Sequence, residues 1–378
     1  MNIMLINTIY SPFKVGGAEV SVQLLAEELE KKGNIVTVLT LHDEKKRKVE
    51  KINNVTVVYL PLKNLYWPFE NKRQSKIKKI LWHSIDNYNI FMAHSVTREL
   101  EKFSPDVVHT NNISGFSVAI WNVIKKKKIK LVHTSRDYYL FHPNSTMYGK
   151  SSDISPKHPI VKFWSFVKKK ASRHVDNYVG ISQFIEDFHV RNGFFSHANS
   201  SFIYNAVDYN LLEKAKSPHN RIGFIGRLTK DKGFDEFCYY IRELKTKNKE
   251  VVAVAAGRFN NDSEGVGLKN LAENCSVRLL GFTTLNDFFS VVDIVILPVK
   301  WREPFGRVVV ESIFAGKIVL TNSVGGIGEL INILPNVYAL DDDSIDINRI
   351  SLNPVGNDII DKFSSNKVAE NYLETYRI

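Results

Sequence analysis

NIMLIN at residues 2–7 is a short apolar run, and the thirty-three residues after it decide the fold. A loop carrying Pro12, Gly16 and Gly17 follows the run. Then AEVSVQLLAEELEKK (18–32) places Val22, Leu25, Ala26 and Leu29 on one helical face and stops at Gly33. IVTVLT (35–40) is a second apolar run. Strand, glycine loop, helix, strand is a βαβ unit, which predicts a parallel sheet and an α/β fold.

Working outward, strands are predicted at 55–60, 106–110, 129–134 and 177–181, with a largely helical stretch over 76–103 and a polar loop over 136–160. A second series opens near residue 220. It has strands at 221–226, 251–256, 277–280, 293–298, 317–321 and 336–339, with helices at 234–245 and 306–314. The chain of 378 residues therefore divides into two doubly wound domains, at 1–200 and 201–360. A closing helical stretch, 361–378, is expected to pack back on the first domain. In such folds ligands bind beyond the carboxyl ends of the strands. That gathers the loops after Asn7, His109, Thr134, Gly226, Gly257, Gly281, Pro298 and Thr321 around a cleft that the two domains face.

At 44% hydrophobic, the chain has enough apolar material for two cores and is not a disordered protein. Two cysteines, Cys238 and Cys275, make no disulfide framework and suit a reducing compartment. The start, MNIMLINTIY, reads as no signal peptide, and no apolar run is long enough to span a bilayer. Charge is uneven. Residues 1–200 hold 30 Lys and Arg against 17 Asp and Glu, and residues 201–378 hold 21 against 23. The net +11 thus lies in the first half, which suits a polyanion or an anionic membrane surface.

Three stretches of the second half carry chemistry. WREPFGRVVVE (301–311) sets Glu303 on a loop and Glu311 two turns into a helix. The helix start between them offers backbone N–H groups to an anion, and carboxylates accept paired hydrogen bonds from sugar or ribose hydroxyls. GRLTKDKG (226–233) sets Arg227 and Lys232 astride a strand-end loop, where they can hold a diphosphate. GGIGE (325–329) permits close backbone approach to a ligand. Each also has an ordinary structural reading: helix-dipole carboxylates, surface cations on a turn and a glycine turn.

In this order the motifs resemble glycosyltransferase family 4, the retaining group with the GT-B fold. The resemblance covers nearly the whole chain. It adds Gly16-Gly17-Ala18-Glu19, Pro105-Asp106-Val107-Val108-His109 and Tyr204-Asn205-Ala206-Val207-Asp208 to the three stretches above. It implies that Glu303 contacts the donor sugar and Glu311 the donor ribose. It implies that the backbone of Phe305, Gly306 and Arg307 faces the diphosphate or sugar, beside Pro304. Arg227 and Lys232 would hold the diphosphate, and Gly16 and Gly17 would approach the donor phosphates and the acceptor. Gly257, Gly281 and Phe282 complete the donor side. No metal or other cofactor is implied, and the co-substrate is a nucleoside-diphosphate sugar, with uridine the commonest base among relatives. The acidic run Asp341-Asp342-Asp343 reads as a solvated turn.

Many relatives carry a His before the Asp in the loop after the fifth strand, where this chain has Arg136-Asp137-Tyr138. Arginine stays protonated and cannot act as a base. It can stabilise the departing phosphate or bind an anionic sugar, while Asp137 orients the acceptor. His109 and Tyr138 join the acceptor side, with His133 an alternative base.

The basic half also carries aromatics beside lysines. Leu65-Tyr66-Trp67-Pro68-Phe69 precedes Lys72, Arg73, Lys76, Lys78 and Lys79, and Phe163, Trp164 and Phe166 stand among Lys162, Lys168, Lys169 and Lys170. This pattern suits an interfacial membrane contact and a lipid-linked or oligosaccharide acceptor. A cytoplasmic protein, peripheral at the inner face of the membrane, is the expectation. Another GT-B activity, such as a nucleotide-sugar epimerase or a phosphorylase, stays open. A nucleic-acid-binding protein is disfavoured, because zinc-finger spacing and RNA-binding aromatics are absent.

Overall fold

The chain is described by a computed structural model, which covers residues 1–13, 16–70, 74–149, 152–208, 221–247, 250–342 and 350–378. It forms two compact units. The first comprises Met1–Met147, Ser155–Ala206 and Ser365–Ile378, and the second Tyr148–Ile154 and Val207–Ser364.

In the first unit β1 (Asn2–Ile6), β2 (Ile35–His42), β3 (Lys48–Ile52), β4 (Val55–Pro61), β5 (Val107–Thr110) and β6 (Lys130–Ser135) belong to one sheet. A short antiparallel pair, β7 (Tyr148–Gly149) and β8 (Ser152–Asp153), belongs to the second unit. β9 (Asn177–Gly180) and β10 (Asn199–Phe202) complete the first sheet, in the order β10-β9-β6-β5-β1-β2-β4-β3. All its pairings are parallel except β3 with β4. β1 is buried on both faces, as a covered parallel strand requires.

The helices of this unit are α1 (Gly17–Lys31), α2 (Lys76–Asn87), α3 (Ile90–Phe103), α4 (Ala119–Lys126), α5 (Pro159–Ala171) and α6 (Gln183–Arg191). The helical stretch predicted over 76–103 is two helices. Asn89 accepts from the amides of Phe91 and Met92, a cap that starts α3 afresh. The predicted loop 136–160 contains the β7–β8 pair and the start of α5, where Pro159 stands in the first turn.

The second unit holds β11 (Arg221–Ile225), β12 (Val252–Ala256), β13 (Arg278–Gly281), β14 (Ile294–Leu297), β15 (Ile318–Thr321) and β16 (Val337–Ala339). They form one parallel sheet in the order β13-β12-β11-β14-β15-β16. Its helices are α7 (Phe234–Lys247), α8 (Ser263–Asn274), α9 (Leu285–Ser290), α10 (Arg307–Phe314), α11 (Ile327–Ile333) and α12 (Asn357–Lys362). The strand order reverses between β11 and β14, the switch point at whose carboxyl-end crevice such sheets take their ligands.

The closing helical stretch breaks at Ser364. α12 stays with the second unit, and α13 (Ser365–Arg377) belongs to the first. There Tyr372 and Tyr376 are buried in the core with Val22, Leu25 and Leu29 of α1. The Tyr376 hydroxyl is 2.7 Å from His109 Nδ1, and the Thr134 hydroxyl lies 2.7 Å from His109 Nε2 and 3.1 Å from the Tyr372 hydroxyl. A Tyr376→Ala substitution removes a buried ring and a partner of His109. It is expected to cost about 3–5 kcal/mol, read as a lower urea midpoint.

Candidate functional site

The crevice of the second unit is edged by two loops, Gly226–Gly233 after β11 and Pro298–Gly306 after β14. They are joined by one ion pair: Lys232 Nζ donates to Glu303 Oε2 at 2.5 Å, with both side chains half-buried. The same ammonium lies 4.9 Å from the centre of the Trp301 ring, within cation–π range. Lys300 reaches across as well, to Asp235 at 2.9 Å and Glu236 at 3.2 Å. Its amide donates to the Asp231 carbonyl at 3.0 Å. Arg302 contacts Asp153 at 3.3 Å and donates to the Ile154 carbonyl at 2.8 Å, tying the Glu303 loop to the β7–β8 segment.

Glycines set how close these loops come. A Cβ on Gly325, which has φ +55°, would stand 2.3 Å from the Glu303 carbonyl oxygen; one on Gly326 would stand 2.4 Å from that of Pro304. The Gly326 amide instead donates to the Glu303 carbonyl at 2.8 Å. In this structure the Gly325-Gly326 pair meets the Glu303 loop, where the sequence suggested a ligand. Gly233 and Gly257 play the same part, because a Cβ on either would fall 1.7 Å from a carbonyl oxygen, of Pro298 and Gly226 respectively.

Gly306 caps α10 at φ +92°, and Phe305 and Gly306 are buried at the helix start beside Pro304. One turn in, Arg307 Nε donates to Glu311 Oε1 at 2.6 Å. Burial raises the Glu311 pKa, and the guanidinium opposes that rise. Arg227 is over half exposed and pairs with Asp231 at 3.0 Å. Gly281 has open space around its Cα, and next to it the Phe282 ring is 76% exposed, with the Arg258 guanidinium 4.4 Å from its centre. Arg258 was not singled out from the sequence. Only the exposed aromatic after a strand-end glycine could have pointed to it.

In the first unit Gly16 and Gly17 are exposed at the start of α1, and Glu19 accepts from the Gly16 amide at 2.9 Å. Arg136 follows β6 and is 7% exposed. Its Nε donates to Asn111 Oδ1 at 3.0 Å and its Nη1 to Asn205 Oδ1 at 2.5 Å. These two asparagines hold a cation with neutral groups, a role that spacing did not reveal. Asp137 is half-buried and accepts from the Tyr139 amide at 2.7 Å. Desolvation pushes its pKa up to about 6.

Two residues expected on the acceptor side are buried. His109 is fully buried with both ring nitrogens engaged, one of them by Tyr376 of α13. Tyr138 is fully buried too, its ring 5.2 Å from Phe188 and 6.5 Å from Phe141. His133 is likewise buried, 2.9 Å from the Thr110 hydroxyl. Burial and neighbouring cations push both imidazoles toward the neutral form. Asp341 and Asp342 are exposed, and Asp343 lies outside the described residues.

With the geometry in place, the class is plain: the fold is GT-B, and the chain is a glycosyltransferase. Its structure is similar to sucrose-phosphate synthase from Thermosynechococcus elongatus (TM-score 0.68, 16% identity, 99% of this chain and 94% of that one). It is also similar to Alr3699/HepE from Anabaena, solved with UDP and glucose (TM-score 0.67, 16% identity, 100% and 99%). The chain belongs to glycosyltransferase family 4, for residues 15–211 match the model of Glycosyltransferase Family 4 and residues 212–346 that of Glycosyl transferases group 1. A 42.6 kDa protein in a cps region of Klebsiella pneumoniae is 48% identical over the full length of both chains. The glycosyltransferase MJ1607 of Methanocaldococcus jannaschii is 25% identical over 100% of this chain and 98% of its own.

A Gly326→Ala substitution tests whether the glycine pair sets the Glu303 loop. The clash is with backbone, so the loop must move. A drop in turnover of about tenfold or more, with unfolding still cooperative, is expected.

Proposed function

We propose that the chain is a retaining, metal-independent glycosyltransferase that moves a sugar from a nucleoside-diphosphate sugar to a glycan or lipid-linked glycan acceptor. The observation that carries this reading is the Lys232–Glu303 pair, which joins the two loops where the strand order of the second unit reverses. One partner can neutralise a phosphate, and the other can accept hydrogen bonds from sugar hydroxyls. The start of α10 and Arg227 add further positive potential. UDP bound to the similar Anabaena structure supports a uridine donor. A relative from a cps region supports a place in cell-surface polysaccharide synthesis.

The acceptor oxygen attacks the anomeric carbon on the face from which the nucleoside diphosphate leaves. The bond from that carbon to the β-phosphate oxygen breaks, and the acceptor proton passes to the departing phosphate. Negative charge grows on that phosphate, so Lys232, Arg227 and the helix terminus favour the transition state over the ground state. In the first unit Arg136 and Asp137 serve the acceptor side.

The acceptor reading extends to a membrane surface. Ile77, Ile80 and Leu81 on α2 and Phe163 and Phe166 on α5 are exposed, and Lys76, Lys78, Lys79, Lys162, Lys169 and Lys170 stand beside them. Leu65 and Phe69 are exposed as well. Lys72 and Arg73 lie outside the described residues. Among the described residues no helix is long and apolar enough to cross a bilayer.

Losing one charge-stabilising group at such a site costs on the order of 3 kcal/mol, roughly a hundredfold in rate. Lys232→Ala and Glu303→Ala are each expected to lower turnover by about that factor with folding intact. Wild-type turnover in both would reject the site. Transfer is expected to persist in excess EDTA, and abolition with rescue by Mg²⁺ would reject the metal-free mechanism. The anomeric configuration of the product, read by NMR, tests retention.

A further inference from the structure

We propose that Lys168 is a positioning residue: with Asp86 it clamps Tyr139 and so fixes the loop that presents Arg136 and Asp137. The inference rests on the reading above that this loop serves the acceptor. Lys168 lies in α5 and is 2% exposed. Its Nζ donates to the Tyr139 carbonyl at 2.7 Å and sits 3.6 Å from the centre of the Tyr139 ring. The Tyr139 hydroxyl donates to Asp86 Oδ2 at 2.8 Å, and Asp86 is itself buried in α2. Asp86 Oδ1 accepts from the Gly115 amide at 2.6 Å. The Tyr139 amide donates to Asp137 Oδ1 at 2.7 Å. Tyr139 is thus held at its carbonyl, hydroxyl and amide, and the last of these holds is the Asp137 carboxylate itself.

The composition of the cluster argues for more than packing. A buried ammonium is costly unless it is paired and hydrogen-bonded, and methionine of similar length would fill this space without the cost. Its charge acts on Asp137 and on Asp86, and it favours the ionised form of each. Lys168 also faces His83 of α2 and His142 of the loop, both of which it holds toward neutrality. Asp137 is faced in addition by Glu19 of α1 and by Tyr139. The lysine therefore bears on the carboxylate that the loop presents in two ways: through Tyr139 on its direction, and by its charge against the desolvation that raises its pKa.

Lys168→Met removes the ammonium and keeps the volume. Three readouts are taken on the full chain: amide hydrogen exchange over residues 136–147, steady-state transfer, and the pH profile of kcat. The clamp predicts exchange faster by about tenfold over that loop. It predicts kcat lower by about tenfold or more with KM for the nucleotide sugar unchanged, because the donor motifs lie in the other unit. Losing the positive charge raises the pKa of Asp137, so the acid limb of kcat moves to higher pH. Tyr139→Phe, which loses only the link to Asp86, is the second variant if Lys168→Met fails to fold. It keeps the charge of Lys168, so it is expected to speed exchange and lower kcat by a smaller factor and to leave the acid limb in place.

Unchanged exchange overturns the clamp. Faster exchange with unchanged kcat and pH profile overturns its part in transfer. If the wild-type chain transfers no sugar, the functional reading fails instead, and the exchange result still decides whether Lys168 holds the loop.

Discussion

Backbone packed against backbone, possible only where no Cβ intervenes, holds the second unit's strand-end loops together. Gly233 meets the Pro298 carbonyl, Gly257 that of Gly226, and the Gly325-Gly326 pair those of Glu303 and Pro304. Any other residue at these four places would force a loop to shift, because the opposing atoms are backbone. The loops that bear Lys232 and Glu303 are thus located by contacts that involve neither side chain. The two charges meet because the frame under them cannot shift, and this is the preorganisation that electrostatic catalysis needs.

The two units treat charge differently. Around the second unit's crevice the cations are already paired with carboxylates: Lys232 with Glu303, Arg227 with Asp231, Arg307 with Glu311. On the proposed function, a diphosphate entering there would exchange one anionic partner for another at the half-buried Lys232, while Arg227, over half exposed, would also give up water. A carboxylate released from its cation becomes a full acceptor for hydroxyl groups. In the first unit the buried cations are held by neutral groups instead. Arg136 is held by two asparagine oxygens, and Lys168 by a carbonyl and an aromatic ring. Their charge also acts on what lies near: that of Lys168 on the carboxylates of Asp86 and Asp137, that of Arg136 on the imidazoles of His109 and His133.

The βαβ opening was legible because β1 and β2 are covered on both faces and read as continuous apolar runs. β3 was not, since KVEKI lies at an exposed sheet edge and has no apolar face to display. The break between α2 and α3 depends on one cap, Asn89, within an otherwise helical pattern. Lys232 and Glu303 each stand in a stretch the sequence singles out, but they are 71 positions apart, and their pairing is a product of strand order. The burial of His109 was not legible, because its partner Tyr376 comes from 267 residues away in the chain.

Lys168 shows the same limit more sharply. In the run Lys168-Lys169-Lys170 the three side chains look equivalent in sequence, and together they read as a solvated basic cluster. Helical geometry separates them. Lys168 shares the face of Val161 and Ser165, seven and three positions earlier, and turns inward with them, while Lys169 and Lys170 stay exposed. The excess charge of the first half therefore does two jobs. Most of it lies outside, beside the exposed rings of Phe163 and Phe166, where removal of apolar surface from water and attraction to an anionic surface would act together. One lysine of the run lies inside, where its charge is little screened and bears on the carboxylates of Asp86 and Asp137. Net charge counts these alike, but burial decides which of them stays open to a partner and which bears on the loop after β6.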